Sequence, residues 1–393
     1  MRGEIPVRDT LAGWGAWRLT RHDFTPTPRM SLARWRALSP AKKAAHDLAR
    51  AATHANLPLL GTPMSRQVDR LLSARIRQNA FKARPATRAG VMVSGGGYQG
   101  KTETVCEIAA TFEDSWRELH RTNPETVPGT RDAWVPVAYV QTPVTAKPKS
   151  TCKAILDFYG TPTKRMDLPE LVVQVAASLT DHGTKVLILD DITRLRMHRA
   201  EDQDTLDLIR AFMSMHVTLV LVGVDIPGSG LMDEGRPTAN NERRRPVNEW
   251  EPTQTERRFD LVELDRFRYD TPEQTTAWTC HLAGVEAHLR LLKARPGMLT
   301  DGTMPEYLYA RTDGVVALLE RLIEDGCTEA ITCGTERLTE PLLDNLPLTL
   351  ADAAGRDTQA GEIPAVPVGR PAARTARRRN TVFDDHGPQA GTA

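Results

Sequence analysis

The 393-residue sequence is poor in aromatic residues (5%), has only five cysteines and carries almost no net charge (+1). Each shortage excludes something. Cys106, Cys152, Cys280, Cys327 and Cys333 form no CxxC pair and have no histidine partner at metal-ligand spacing. Neither a zinc site nor a disulfide framework is expected; buried or incidental thiols in a reducing compartment are. With no global basic excess, any contact with nucleic acid has to come from a local patch. Long apolar runs are missing too. The most hydrophobic stretch, residues 217–222, falls far short of the roughly 20 residues that cross a bilayer. The opening MRGEIPVRDT mixes charges and has no apolar centre, so no signal peptide is expected. A cytoplasmic protein without a membrane partner is the expectation. What is present, 40% hydrophobic and 26% charged residues, suits a globular chain with a large core and more than one domain.

Up to residue 87 the chain is rich in Arg and Ala, with apolar residues at helical spacing. Ser39-Pro40 reads as an N-cap followed by a proline at the first helical position, opening a helix over 41–55. A second helix is expected over 68–81, with Val68, Leu71, Leu72 and Ile76 on one side. From Gly90 the pattern changes. Short apolar runs at 91–93, 135–140, 186–189, 217–222 and 259–264 read as strands. Helical patterns at 102–118, 151–159, 169–179 and 202–215 separate them. Such alternation predicts a parallel sheet with helices on both faces, a three-layer α/β/α core. Residues 225–256 are polar and rich in Gly, Pro, Asn and Arg, long for a structureless loop. Residues 271–343 are mostly helical and suggest a small lid. After 350 the chain is rich in Ala, Pro, Gly and Arg, with Arg374, Arg377, Arg378 and Arg379 clustered, and reads as a disordered basic tail. The expected division is a helical arm (1–87), a core (88–270), a lid (271–350) and the tail (351–393).

The most specific signal is Gly95-Gly96-Gly97-Tyr98-Gln99-Gly100-Lys101-Thr102, a full match to the P-loop pattern, with a strand before it and a helix after. Glycines let backbone N–H groups curl around phosphates without a clashing side chain. Lys101 supplies a mobile cation for the β- and γ-phosphates, and the Thr102 hydroxyl suits Mg²⁺. The helix that begins near Lys101 adds the positive end of its dipole, with Glu103 in its first turn. The residues expected to hold ATP are therefore 95–103.

The run 186–189 ends in Asp190-Asp191, a Walker B pattern. Asp190 is placed to hold Mg²⁺ through water, and Asp191 to polarise the attacking water. Aspartate is one methylene shorter than the glutamate more usual there, so hydrolysis is expected to be slow or partner-dependent. A strand and a helix (135–140, 151–159) intervene between the two motifs, which puts the chain in the P-loop class with an extra strand between them (ASCE), the class that contains the AAA+ proteins, and argues against simple nucleotide kinases. After the 217–222 strand the polar residue available to sense the γ-phosphate is Asp225. Arg258, with Arg257 second, precedes the last strand, where an arginine finger reaches a neighbouring subunit's γ-phosphate. Arg311 in the lid is either a second nucleotide sensor or a cation at a helix end.

These features in this order resemble the TniB/TnsC-type AAA+ transposition regulators of bacterial mobile elements. The matching pieces, over about residues 45–345, are Asn56-Leu57-Pro58, the P-loop, residues 135–143 and 154–162, and Asp190-Asp191. Leu221-Val222-Gly223, Arg258-Phe259 before Val262-Glu263-Leu264, Arg311-Thr312-Asp313-Gly314, residues 328–332 and Glu336-Arg337-Leu338-Thr339 complete the set. The sequence departs from the family pattern at Asp191, at Val224-Asp225 and in the length of the 228–256 loop. The resemblance implies an ATPase that oligomerises with ATP as a ring or filament, binds double-stranded DNA and passes target information to a transposase or integrase. Local support for DNA lies in Arg243–Arg245 and the tail arginines. An ATP-switched signalling or defence module acting on a protein partner without DNA is the alternative.

Overall fold

The computed structural model describes residues 6–122, 134–143, 147–194, 202–229 and 256–348. All five apolar runs are strands: β1 (Gly90–Ser94), β2 (Val137–Gln141), β3 (Val186–Asp190), β4 (Thr218–Val222) and β5 (Phe259–Glu263). They form one parallel sheet in the order β2-β3-β4-β1-β5. β1, β3 and β4 are buried at every position, as strands covered on both faces must be. Register pairs Val93 with Val222 and Ser94 with Glu263, and Gln141 with Asp190. The carboxyl ends of the strands therefore lie along one edge.

Two groups of helices flank the sheet. α4 (Pro63–Ala80) and α5 (Lys101–Thr122) pack on each other, while α6 (Pro148–Phe158), α7 (Leu168–Asp181) and α8 (Asp202–Met213) form the second group. α4 starts five residues before the sequence pattern suggests. Thr62 and Ser65 form a reciprocal capping box ahead of Pro63, and Val68, Leu72 and Ile76 are buried along one stripe. The C-terminal helices α9 (Pro272–His288), α10 (Met304–Thr312), α11 (Val316–Thr332) and α12 (Glu340–Asp344) enclose a second core around Trp278, Leu308, Leu322 and Ile323.

The N-terminal arm is not a separate body. α1 (Leu11–Thr20) puts Trp14 into the core of the sheet domain, as α4 does Val68, Leu72 and Ile76. The helix α3 (Pro40–His54), which follows the short α2 (Leu32–Arg36), packs on α11 instead. Arg50 of α3 is fully buried and forks onto both oxygens of Glu336 at 2.7 and 3.0 Å, with Asp47 at 2.6 Å. The arm thus spans both cores. All five cysteines are free thiols, with Cys106, Cys152 and Cys327 buried. No described helix is long and apolar enough to cross a membrane. Arg243–Arg245 and the tail beyond residue 350 lie outside the described residues.

Candidate functional site

β1 ends at Ser94 and the glycine loop follows directly. Gly95 passes so close to β5 that a Cβ there would sit 2.2 Å from the carbonyl oxygen of Leu264. Gly100 turns the chain into α5 with a φ of 74°. Lys101 opens α5 and bends back, donating from Nζ to the carbonyl of Gly96 at 2.5 Å. Burial lowers the Lys101 pKa, opposed by the charges of Asp190 and Asp191. Among the described residues no carboxylate lies within ion-pair distance of its ammonium. A buried cation under a glycine loop at a helix N-terminus fits an anion. Gln99 folds across Gly95 and Gly96 with a buried Oε1 that has no hydrogen-bond partner. Tyr98, at a φ of 59°, is exposed, and its carbonyl accepts from the Ala317 N–H of α11 at 3.3 Å.

The wedging of β4 between β1 and β3 brings Asp190 to the loop. Its Oδ2 accepts from the Thr102 hydroxyl at 2.8 Å and from the Tyr139 phenol at 2.8 Å, and its Oδ1 from the Asp191 N–H at 2.9 Å. Asp190 is buried, and burial followed by its charge pushes the Tyr139 phenol up. Thr102 and Asp190 present the hydroxyl and carboxylate oxygens that a hard divalent cation takes, with water for the rest of its shell. Among the described residues no three His, Cys, Asp or Glu side chains converge as a metal group.

Asp191 adopts a left-handed φ of 54° and accepts from Gln141 Nε2 at 3.2 Å. Glu103 does not face the loop freely: Arg8 forks onto its two oxygens at 2.6 and 3.0 Å. Beside it, a cavity of about 450 Å³ is lined by Trp17, Phe24, Pro26, Leu57, Glu103 and Glu107. Asp225 turns its carboxylate onto the N–H of Gly228 at 3.1 Å, capping its own short turn. Arg257 and Arg258 are exposed at the start of β5, at the end of the sheet opposite the loop. Arg311 is not brought to the loop. Its guanidinium donates to the Tyr307 hydroxyl and to the carbonyls of Leu343 and Leu346 at 2.9, 3.1 and 2.9 Å, within the lid.

Tyr139, Gln141 and Arg8 escape a reading of the sequence. Gln141 carries a signal, as the first polar residue at the end of a strand that pairs with β3. Tyr139 and Arg8 carry none, because their roles follow from strand register and from the docking of α1.

The sheet order and the loop at the end of β1 define a class, the P-loop NTPases of the AAA+ type. Residues 67–231, from α4 through the loop and Asp190 to the turn after β4, match the family model of the bacterial TniB protein. The family resemblance read from the sequence holds over this stretch. Among solved structures, the Orc1 protein of Aeropyrum pernix in complex with DNA is similar at 13% identity and a TM-score of 0.50, covering 76% of this chain. This chain spans 66% of the length of that one. Cdc6p of Pyrobaculum aerophilum matches at 13% identity and a TM-score of 0.42, over 75% of this chain and 74% of that one. A point variant of Thermotoga maritima RuvB gives 15% identity and 0.39, over 71% and 66%. At 13% identity the likeness to the Orc1 protein is one of fold. Curated protein sequences give no match.

Proposed function

We propose that the chain is an ATP-dependent AAA+ ATPase that assembles with ATP into a ring or filament and regulates DNA transposition by binding double-stranded DNA and a transposase. The observation that carries the ATPase reading is the convergence of Lys101, Thr102 and Asp190 at one edge of the sheet, with Thr102 and Asp190 already 2.8 Å apart. The backbone of residues 95–102 would cradle the phosphates and Lys101 would meet the β- and γ-oxygens. Thr102 and Asp190 would hold Mg²⁺, which when bound neutralises charge on those phosphates. Asp191, steered by Gln141, would orient the attacking water.

Arg258 and Arg257 support assembly by their distance from the loop. β5 runs parallel to β1, so the start of β5 lies about 13 Å, four strand residues, from the loop's end of the sheet. That distance favours a role towards a neighbouring subunit's phosphates over one towards their own. The DNA and transposase parts rest on the TniB match over residues 67–231. A gel shift with double-stranded DNA across a salt series, with and without ATP, tests them. ATP-dependent, salt-sensitive binding is expected. No shift under any condition, with ATP binding intact, would favour a switch acting on a protein partner.

A further inference from the structure

Tyr139 lies two residues before Gln141 on β2, so both side chains leave the same face of the sheet. Its phenol shares Asp190 Oδ2 with the Thr102 hydroxyl, each at 2.8 Å. The ring is held from outside the sheet. It stacks on the indole of Trp14 in α1, with 6.2 Å between centroids and 12° between planes, and Trp17 leans on Trp14 at 5.1 Å. The Arg8 guanidinium lies 5.6 Å from the Tyr139 ring and 5.0 Å from that of Trp17 while it forks onto Glu103. Trp14 is 1% exposed and anchored by its indole N–H on Glu113 at 2.8 Å. One short stretch of the arm therefore touches both the first turn after the phosphate loop and the ring whose hydroxyl holds the carboxylate.

We propose that Tyr139 is a positioning residue for the metal-side carboxylate of Asp190, and that the arm, through Trp14 of α1 and Arg8 just ahead of it, sets the tyrosine in place. Docking of the arm then governs how tightly Mg²⁺ and nucleotide are held together. The proposal rests on the reading of Thr102 and Asp190 as the metal-holding pair. A carboxylate that acts through water must have its oxygens aimed, and a neutral O–H donor aims one without cancelling its charge. A stacked ring fixes the donor's direction, since the phenol oxygen lies in the ring plane. Partners of this outer kind are commonly worth 10- to 100-fold in metal affinity.

The test is binding of a fluorescent, non-hydrolysable ATP analogue to the full-length protein, titrated with Mg²⁺. It reads the site without turnover. Tyr139→Phe keeps the stacked ring and removes only the hydroxyl. The analogue's affinity in EDTA should be unchanged, while the Mg²⁺ midpoint rises about ten-fold. Asp190→Asn is the reference. An unchanged midpoint in Tyr139→Phe beside a raised one in Asp190→Asn overturns the proposal and leaves the site reading intact. An unchanged midpoint in both overturns the site reading, and the proposal with it. Trp14→Leu, placed in the wild-type and Tyr139→Phe backgrounds, tests the coupling to α1. It should raise the midpoint in the first and add little in the second; equal shifts in both would overturn the role of α1. If Trp14→Leu proves too unstable, Arg8→Gln on the rim of the same stack takes its place, with the same two outcomes.

Discussion

At the scale of single residues the phosphate loop is a set of chemical commitments with little redundancy. Lys101 is the cation that the fold holds under the glycines, without a carboxylate partner among the described residues. Lys101→Ala should therefore cost on the order of 10- to 100-fold in ATP affinity, as loss of charge-assisted hydrogen bonds does; a fluorescent-ATP titration measures it. Asp191 suits the turn that follows β3. Its φ of 54° lies in a region that Asp and Asn tolerate far better than longer side chains. Asp191→Asn should thus keep the turn and the ATP affinity while slowing steady-state hydrolysis at least ten-fold. Unchanged turnover would assign the water to another group. The glycine loop and the Asp190-Asp191 pair were legible as motifs because each is contiguous: eight residues for the loop, six for the strand and its acids. Tyr139 and Gln141 were not, because only the pairing of β2 with β3 says which positions of β2 face Asp190. Arg311 illustrates the opposite failure. A lone arginine near a helix end is compatible with several roles, and its hydrogen bonds place it on the lid's own carbonyls.

At the scale of elements, β1 to β4 were readable because buried parallel strands are near-continuous apolar runs, and the edge strand β5 because its apolar residues flank Asp260 and Glu263 in a short β-type run. Helix α1 was not. Two glycines in ten residues lower its intrinsic propensity, and it is held by Trp14 and by ion pairs of Arg18 and Arg21 with Glu113, Asp114 and Glu107. The docking of α3 on the lid gives two predictions. Glu336 has a side chain only 6% exposed and neutralises a fully buried Arg50. Glu336→Ala should cost up to about 3–5 kcal/mol, because it leaves the buried arginine only the partly exposed Asp47 as a carboxylate partner, and Arg50→Met in the same chain should recover much of that; denaturant unfolding measures both. The second concerns pH. His54 Nε2 accepts the N–H of Arg290 at 2.9 Å, so the ring must be neutral. Burial, then the charges of Arg50 and Arg290, brings His54 down to about 4 from 6.5, and burial does the same for His281. Between those values the unfolded chain binds protons that the folded chain refuses. Stability is thus fully present above about pH 6.5 and is lost as pH falls toward 4, with His54 alone contributing about 2 kcal/mol of loss by pH 5. Tm should drop between pH 7.5 and 5, and His54→Gln should flatten the profile.

At the scale of the whole molecule, assembly is the open chemical question, and the position of Arg258 makes it testable. Alone, Arg258→Ala and Lys101→Ala should each hydrolyse ATP poorly, the first with normal ATP binding. Mixed, they should recover activity above the sum of their residual rates, since one subunit brings an intact loop and the other an intact finger. Simple addition at every mixing ratio, with DNA present, would count against a finger acting in trans, and Arg257→Ala in the same assay separates the two arginines. The strands and the C-terminal helices could be outlined from the sequence, but the arm's contacts with both could not, because contacts between residues hundreds of positions apart leave no local pattern. That same arm bears on how the protein is made. Arg50 leaves the ribosome 286 residues ahead of the glutamate that neutralises it. At about 5–20 residues per second, roughly 15–60 s of synthesis separates the two. Through that interval α3 has a guanidinium to bury and no glutamate to bury it against, while α1 and α4 can settle on the sheet as soon as β1 to β5 are complete. The sheet domain can therefore form on the nascent chain before the C-terminal helices, of which α11 packs on α3.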